Sequence, residues 1–172
     1  MSDTKFSRRL NLAKRSFVTR RVDLNRAASL TNTAPSAGDL CLARIDRLGH
    51  HSRLELPTGR RAYLNPGDEV LLAFGARYAT DQFHSIVPSS LAPCQMVAAG
   101  GIASKMITRH AKTRVPTQIT PIGLLTDSVG EVLNLRDFAI EPARVLYQKT
   151  PHLICVVGSS MNAGKTTTVA EL

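Results

Sequence analysis

The chain has 172 residues, 43% hydrophobic and 5% aromatic with no Trp, and its 22 Lys/Arg against 13 Asp/Glu give a formal net charge of +9. That length and apolar fraction suit a globular chain with a buried core, holding one domain or one domain plus part of another. No run approaches the roughly 18 apolar residues a membrane-spanning helix requires, and the scarcity of aromatics leaves little material for recognition by stacking.

The positive charge is unevenly placed. Residues 1–35 hold eight Lys/Arg (Lys5, Arg8, Arg9, Lys14, Arg15, Arg20, Arg21, Arg26) against Asp3 and Asp23, a net +6, so the rest of the chain carries only +3. No apolar stretch with a small-residue cleavage site follows the basic start, which excludes a secretory signal, although an Arg-rich, acid-poor start shares its composition with organelle-targeting peptides. Phe6, Leu10, Leu12 and Phe17 fit a helical stripe, whereas residues 16–24 alternate as a strand does, and both readings stay open. Thr31-Asn-Thr-Ala-Pro-Ser-Ala-Gly38 has the composition of a linker. Residues 1–37 are expected to form a basic, solvated and partly ordered arm. Its functional alternative is nonspecific attraction to nucleic acid or an acidic partner by counterion release.

From Gly38 the texture changes to short β-like runs cut by turn residues. Leu40, Leu42 and Ile45 make the first run. Arg53-Leu-Glu-Leu56 makes the second, before the Pro57-Thr-Gly59 turn. Arg60–Leu64 follows, closed by Asn65-Pro-Gly-Asp68, and Glu69–Phe74 is the most apolar run and the expected central strand. Four such strands at about ten-residue spacing predict a small antiparallel barrel or sandwich. Pro88, Pro93, Pro116 and Pro121 punctuate the next stretch. Within it, residues 95–99 read as a strand, Gly100-Gly101 as a turn, and residues 102–110 as a short helix. Residues 122–126 and 132–135 flank Asp127-Ser-Val-Gly130 as a hairpin. Residues 38–145 are thus expected to form a β-rich, barrel-like accessory domain.

Cys41, Cys94 and Cys155 lie far apart with no CxxC pair or metal-ligand spacing. Reduced, buried thiols in a cytoplasmic protein suit them better than a disulfide framework. Cys155, inside an apolar run, is expected to be a core thiol.

The residues that carry chemistry come last. His152-Leu-Ile-Cys-Val-Val157 has the look of a buried parallel strand. It runs directly into Gly158-Ser159-Ser160-Met161-Asn162-Ala163-Gly164-Lys165-Thr166, followed by the helix-compatible Thr-Thr-Val-Ala-Glu-Leu. Strand, glycine-rich loop and helix start is the context a phosphate-binding loop demands. Gly158 and Gly164 permit a turn so tight that successive backbone N–H groups point at phosphate oxygens. Lys165 supplies a cation for the β- and γ-phosphates and is the catalytic candidate. The Thr166 hydroxyl is the Mg²⁺ ligand, and Thr167 stands within reach of a phosphate.

This stretch resembles the P-loop NTPase superfamily. Val157–Thr168 looks like the loops of dethiobiotin-synthetase-like ATPases and signal-recognition GTPases, and Gly164-Lys-Thr-Thr-Thr168 also resembles ABC-type ATPases. The resemblance spans about twenty residues. It implies a parallel α/β nucleotide domain, ATP or GTP with Mg²⁺, and phosphoanhydride hydrolysis or phosphoryl transfer. The chain departs from the superfamily in one respect: Leu172 ends it about two turns into the helix, before the further strands and the acidic metal ligand. Residues 150–172 are therefore expected to be the truncated start of that domain, and these 172 residues by themselves are expected not to hydrolyse nucleotide. The exposed strand edge that follows from this favours pairing with another copy, a homo-oligomer.

Weaker constellations accompany the loop. His50-His51 is expected to be a surface turn pair rather than a ligand pair. Arg77, Asp81 and His84 surround Phe83 as solvated loop residues or as a site lining. Gly100-Gly101 with Lys105 and Arg109 offers an anion seat or, more simply, a packing turn, and Arg136-Asp137 reads as an ion pair. The fold expected overall is α+β, a β-rich accessory domain followed by the first strand, loop and helix of a nucleotide-binding domain. The rival function is a β-rich binding module whose basic arm contacts nucleic acid or an acidic partner.

Overall fold

The computed structural model describes residues 4–141, 152–159 and 163–172. A short helix, α1 (Thr4–Leu12), opens the chain. The strands β1 (Lys14–Arg15), β2 (Ser29–Thr31), β3 (Leu40–Arg47), β4 (Arg53–Glu55), β5 (Arg61–Tyr63) and β6 (Glu69–Phe74) follow. Then come β7 (Arg77–Tyr78), β8 (Phe83–Ile86), β9 (Cys94–Ala98), β10 (Ile102–Arg109) and β11 (Thr117–Thr126), and a last helix, α2 (Lys165–Ala170). The structure is mostly β, as the turn-punctuated runs from Gly38 onward predict.

Five strands close on themselves. β3 runs antiparallel to β6, with Leu42 opposite Leu71, and β6 runs parallel to β10, with Ala103 opposite Phe74. β10 is antiparallel to β9, β9 to β11, and β11 returns antiparallel to β3. The ring leaves no free edge among these five over their paired stretches, which is how small β folds avoid exposing unpaired N–H and C=O groups. β7 and β8 extend the sheet from β10, and β4–β5 form a separate hairpin. Pro121 sits within β11 where the register against β3 shifts between Pro121 and Gly123, so its missing N–H falls at an irregularity of the ladder.

The period of two along each strand sorts the apolar residues into two cores. On β3 and β6, Cys41, Ala43, Ile45, Val70, Leu72 and Phe74 point into the barrel with Met96, Ala103 and Ile119. Leu40, Leu42, Leu71 and Ala73 point outward, and they too are buried, packed with Leu10, Val22, Ala27, Leu125 and Leu133. Burial pushes the Cys41 thiol far up and the Cys94 thiol to about 11, so both are inert core groups.

The outer core requires a cover, and the basic arm supplies it. β1 pairs in parallel with Val70 and Leu71, beside the point where β10 takes over the same edge at Ala73 and Phe74. β2 does the equivalent on β11, pairing Leu124–Thr126 where β9 leaves off at Ile119. The expected solvated arm is instead packed against the barrel over residues 4–31. Arg9 makes a two-pronged bond to Glu69, at 2.8 Å and 2.6 Å, and Lys14 pairs with Asp68. Arg15 donates to the Thr19 and Val22 carbonyls. Both carboxylates are held below their usual range, Glu69 chiefly by the Arg9 bonds and Asp68 by Lys14 and the Asn65 N–H against the opposing effect of burial.

Three local expectations change. Residues 102–109 are a strand, not a helix: β10 uses both edges, against β9 and β6, and Ala103 is wholly buried in the barrel wall. A helix there would leave those ladders unpaired. The 122–135 hairpin shrinks to a single bridge, Thr126 to Val132, after which Asn134 bridges to Asp39. Asp137 does not pair with Arg136; it accepts the Asn134 N–H at 2.8 Å, capping the turn Leu135–Phe138.

Gly101 is the hinge of the arm's docking. Its φ is +104°, and a Cβ there would collide with the Ser16 side chain, which is fully buried. Gly101→Ala is expected to lower stability by about 2 kcal/mol or more, from left-handed strain plus displacement of Ser16. Gly130→Ala, at φ +89° with open space around it, isolates the strain alone at about 1 kcal/mol. Denaturant unfolding of the two variants checks the difference. Equal losses would show that the arm does not depend on this contact.

Candidate functional site

The glycine-rich loop is described on both flanks, and Ser160, Met161 and Asn162 lie outside the described residues. Gly158 approaches the far side of its own loop. A Cβ on it would stand 3.0 Å from the Ala163 Cβ and 3.1 Å from the Lys165 Cγ. Only a residue without a side chain lets the chain fold back this closely. Gly164 adopts φ +79° and passes into α2, where Thr168 N–H donates to the Gly164 carbonyl at 2.9 Å. Ala163, Gly164, Lys165, Thr166 and Thr167 line a cavity of about 260 Å³ that holds no carboxylate. The structure thus brings Gly158, Ala163 and Lys165 together, with Thr166 and Thr167 on the same cavity wall, while Ser159 is exposed beside them.

The strand expected to feed this loop is absent. Residues 152–158 form no ladder among the described residues, and Leu153, Ile154 and Val157 are 79%, 75% and 86% exposed. Cys155 is exposed as well, not a core thiol. An apolar β-branched run buries itself only against neighbouring strands, and none lies beside it here.

The other constellations resolve differently. Gly100-Gly101 is a packing turn: the Gly100 carbonyl accepts the Val18 N–H at 2.9 Å, and Ser16 fills the space at Gly101. Arg77, Asp81 and His84 do not share a site around Phe83. Phe83 is buried, His84 packs edge-on against Tyr78, and Arg77 turns inward to the Val97 carbonyl.

His50 and His51 sit in a loop, as expected of a turn pair, but both rings are half-buried rather than on the surface. The two rings do not diverge. They meet edge-to-face with centroids 4.8 Å apart, and both pack against Phe83. Their backbone is tied to the start of β11: Gly49 N–H donates to Thr117 Oγ1 at 3.0 Å, Thr117 donates to the His51 carbonyl at 2.5 Å, and His50 N–H donates to Val115 O at 2.7 Å. The His51 ring reaches Val97 O at 3.0 Å through Nε2, so the neutral tautomer carries its proton there. Among the described residues no group of three His, Cys, Asp or Glu stands ready to hold a metal.

Protein-family models, curated proteins and solved structures yield no match to this chain.

Burial lowers the His51 pKa to about 4, with the positive fields of His50 and Arg77 adding to it; burial, Arg114 and Arg77 depress His50 too. An unfolded histidine takes up its proton near pH 6.5, whereas folded His51 waits until about 4. Across that window the unfolded state binds more protons, so stability rises with pH. Unfolding followed from pH 7.5 to 4.5 is expected to show stability falling below about 6.5, with a shallower fall in His51→Gln. The carboxylates paired with Arg9 and Lys14 act lower, below their own unfolded values. An unchanged slope in the variant would remove His51 from the account.

Proposed function

We propose that residues 158–167 form the phosphate-binding loop of a nucleoside-triphosphate-binding protein, taking ATP or GTP with Mg²⁺, and that the barrel is its accessory domain. The observation that carries this reading is the close approach of Gly158 to Ala163 and the Lys165 stem. A loop folded back on its own lysine is the shape that turns N–H groups and an ammonium toward one anion. Lys165 would meet the β- and γ-phosphates, the backbone N–H groups from Ser159 to Lys165 the phosphate oxygens, and Thr167 a further one.

Mg²⁺ fits this donor set in part. Thr166 offers one hydroxyl oxygen, and the cavity lining has no carboxylate, so the ion would be held mainly by the nucleotide's own phosphates and water. When bound, it would neutralise developing phosphate charge. This chain's residues contribute positioning, and binding without turnover is the activity proposed for these 172 residues. The exposed Leu153, Ile154 and Val157 fit the same reading, as a strand that is buried once further parallel strands, or a second copy, stand beside it.

The rival reading, a module that grips nucleic acid through its basic arm, is weakened by where the charges go. Arg9, Lys14 and Arg15 are spent on Glu69, Asp68 and backbone carbonyls. A cytoplasmic setting suits the nucleotide reading, with buried thiols at Cys41 and Cys94 and an exposed one at Cys155.

Titration with fluorescent ATP and GTP analogues in Mg²⁺ tests the proposal. Saturable binding is expected, weakened about tenfold or more by Lys165→Ala, the loss of one charge-assisted contact. Equal affinity in the variant, or no binding by the parent chain, would overturn it.

A further inference from the structure

The histidine loop and the β4–β5 hairpin enclose a second cavity, of about 260 Å³, lined by His50, His51, Ser52, Arg53, Arg61 and Ala99. Its charge is one-sided. Residues 47–67 hold Arg47, Arg53, Arg60 and Arg61 against the single carboxylate Glu55. Glu55 stands directly across the hairpin from Arg61, yet no ion pair among the described residues engages Arg53, Arg61, Arg77 or Arg114. Arg77 is partly buried, with its guanidinium donating to the Val97 carbonyl, the same oxygen that His51 reaches. Arg77 does not line the cavity, but its positive field reaches both histidines.

The donors are also held in place. The Arg53 guanidinium lies 4.4 Å over the Tyr63 ring and donates to the Tyr63 hydroxyl at 2.8 Å, which orients its planar fork. The hairpin is fastened to the residue after β9 by Glu55 N–H to Ala99 O at 2.9 Å, and its own ladder is extended by Leu64 N–H to Ser52 O at 3.1 Å. Lys14 adds a bond from the arm to Tyr63 O at 2.9 Å. His51 forms the back wall, its Nε2 proton already committed, so the groups free to meet a ligand are those of His50, Ser52, Arg53 and Arg61.

We propose that this cavity binds the phosphate group of a small phosphorylated molecule. Two guanidiniums, a hydroxyl and an imidazole lining one cavity offer more donors than a planar carboxylate can use and suit a tetrahedral anion with three terminal oxygens. The cavity is open to solvent, so the rest of the ligand can extend outward from the phosphate. The site is independent of the glycine-rich loop and stands or falls separately from it.

The test uses the full chain carrying Lys165→Ala, which silences the loop. Calorimetry and ¹H–¹⁵N spectra are recorded at low ionic strength with inorganic phosphate, phenyl phosphate and acetate. Saturable binding of both phosphates is expected, with shifts centred on His50, Ser52, Arg53 and Arg61 and acetate clearly weaker. Arg61→Gln is expected to weaken binding about tenfold. Glu55→Gln, which removes the opposing carboxylate, is expected to strengthen it, a gain that misfolding cannot mimic. Shifts elsewhere, acetate as tight as phosphate, or no effect of either variant would overturn the proposal. So would a single-stranded oligonucleotide binding more tightly, with a footprint running along the hairpin beyond the cavity.

Discussion

Two strands change neighbours half-way along their length, and the architecture depends on how those changes are covered. β6 meets β10 only from Ala73 onward, and β11 meets β9 only as far as Ile119. Left alone, each would present unpaired backbone groups over a fully apolar stretch, Val70–Leu71 in one and Leu124–Leu125 in the other. The N-terminal arm closes both gaps, with β1 on β6 and β2 on β11. The outward-facing Leu40, Leu42 and Leu71 are buried by the same segment. Barrel and arm are consequently one cooperative body over residues 4–141, and the arm's basic residues act as its fastenings.

That dependence explains why the chain's charge is a poor guide to its function. A net +6 in residues 1–35 reads as an electrostatic lure for polyanions. Three of those cations instead face Glu69, Asp68 and backbone carbonyls at the arm–barrel seam. Partly exposed pairs such as these contribute modestly to stability. Their geometry fixes the register of the arm, and burial of Leu10, Val22 and Ala27 supplies the larger share of the binding. Arg53, Arg61, Arg77 and Arg114 also make no ion pair among the described residues, in the part of the chain whose summed charge is nearly balanced.

Legibility in the sequence followed how local each signal is. Glu69–Phe74 announces itself because a strand buried on both faces is a continuous apolar run, and the Pro57–Gly59 and Asn65–Asp68 turns carry their own chemistry. β10 was illegible because Ile102–Arg109 has mixed helical and strand composition, and its state is decided by two partner strands distant in sequence. The arm's docking was hidden likewise: Leu10 and Val22 show apolarity, but nothing in their spacing shows the outer face of β6 that they cover. In the site, Gly158 and Lys165 follow from motif spacing. The meeting of His50, His51 and Phe83, with Arg77 behind them, needs the fold, since it joins a loop, β7, β8 and the end of β9.

The same accounting of edges bears on the segment before the loop. The five barrel strands have most of their edges filled by one another, by the arm and, along Lys105–Arg109 of β10, by β8. Among the described residues the edges that remain include those of β1, β2, β4, β5 and β7, each two or three residues long, and the side of Lys105–Arg109 away from β8. A six-residue strand pairs along most of its length or gains little, because each ladder bond must offset the ordering of its own residue. The two- and three-residue edges therefore offer His152–Val157 little template. The exposure of Leu153, Ile154 and Val157 accords with a barrel whose edges are mostly filled. Among the described residues that run has no strand partner, and its burial would have to come from strands other than those paired here.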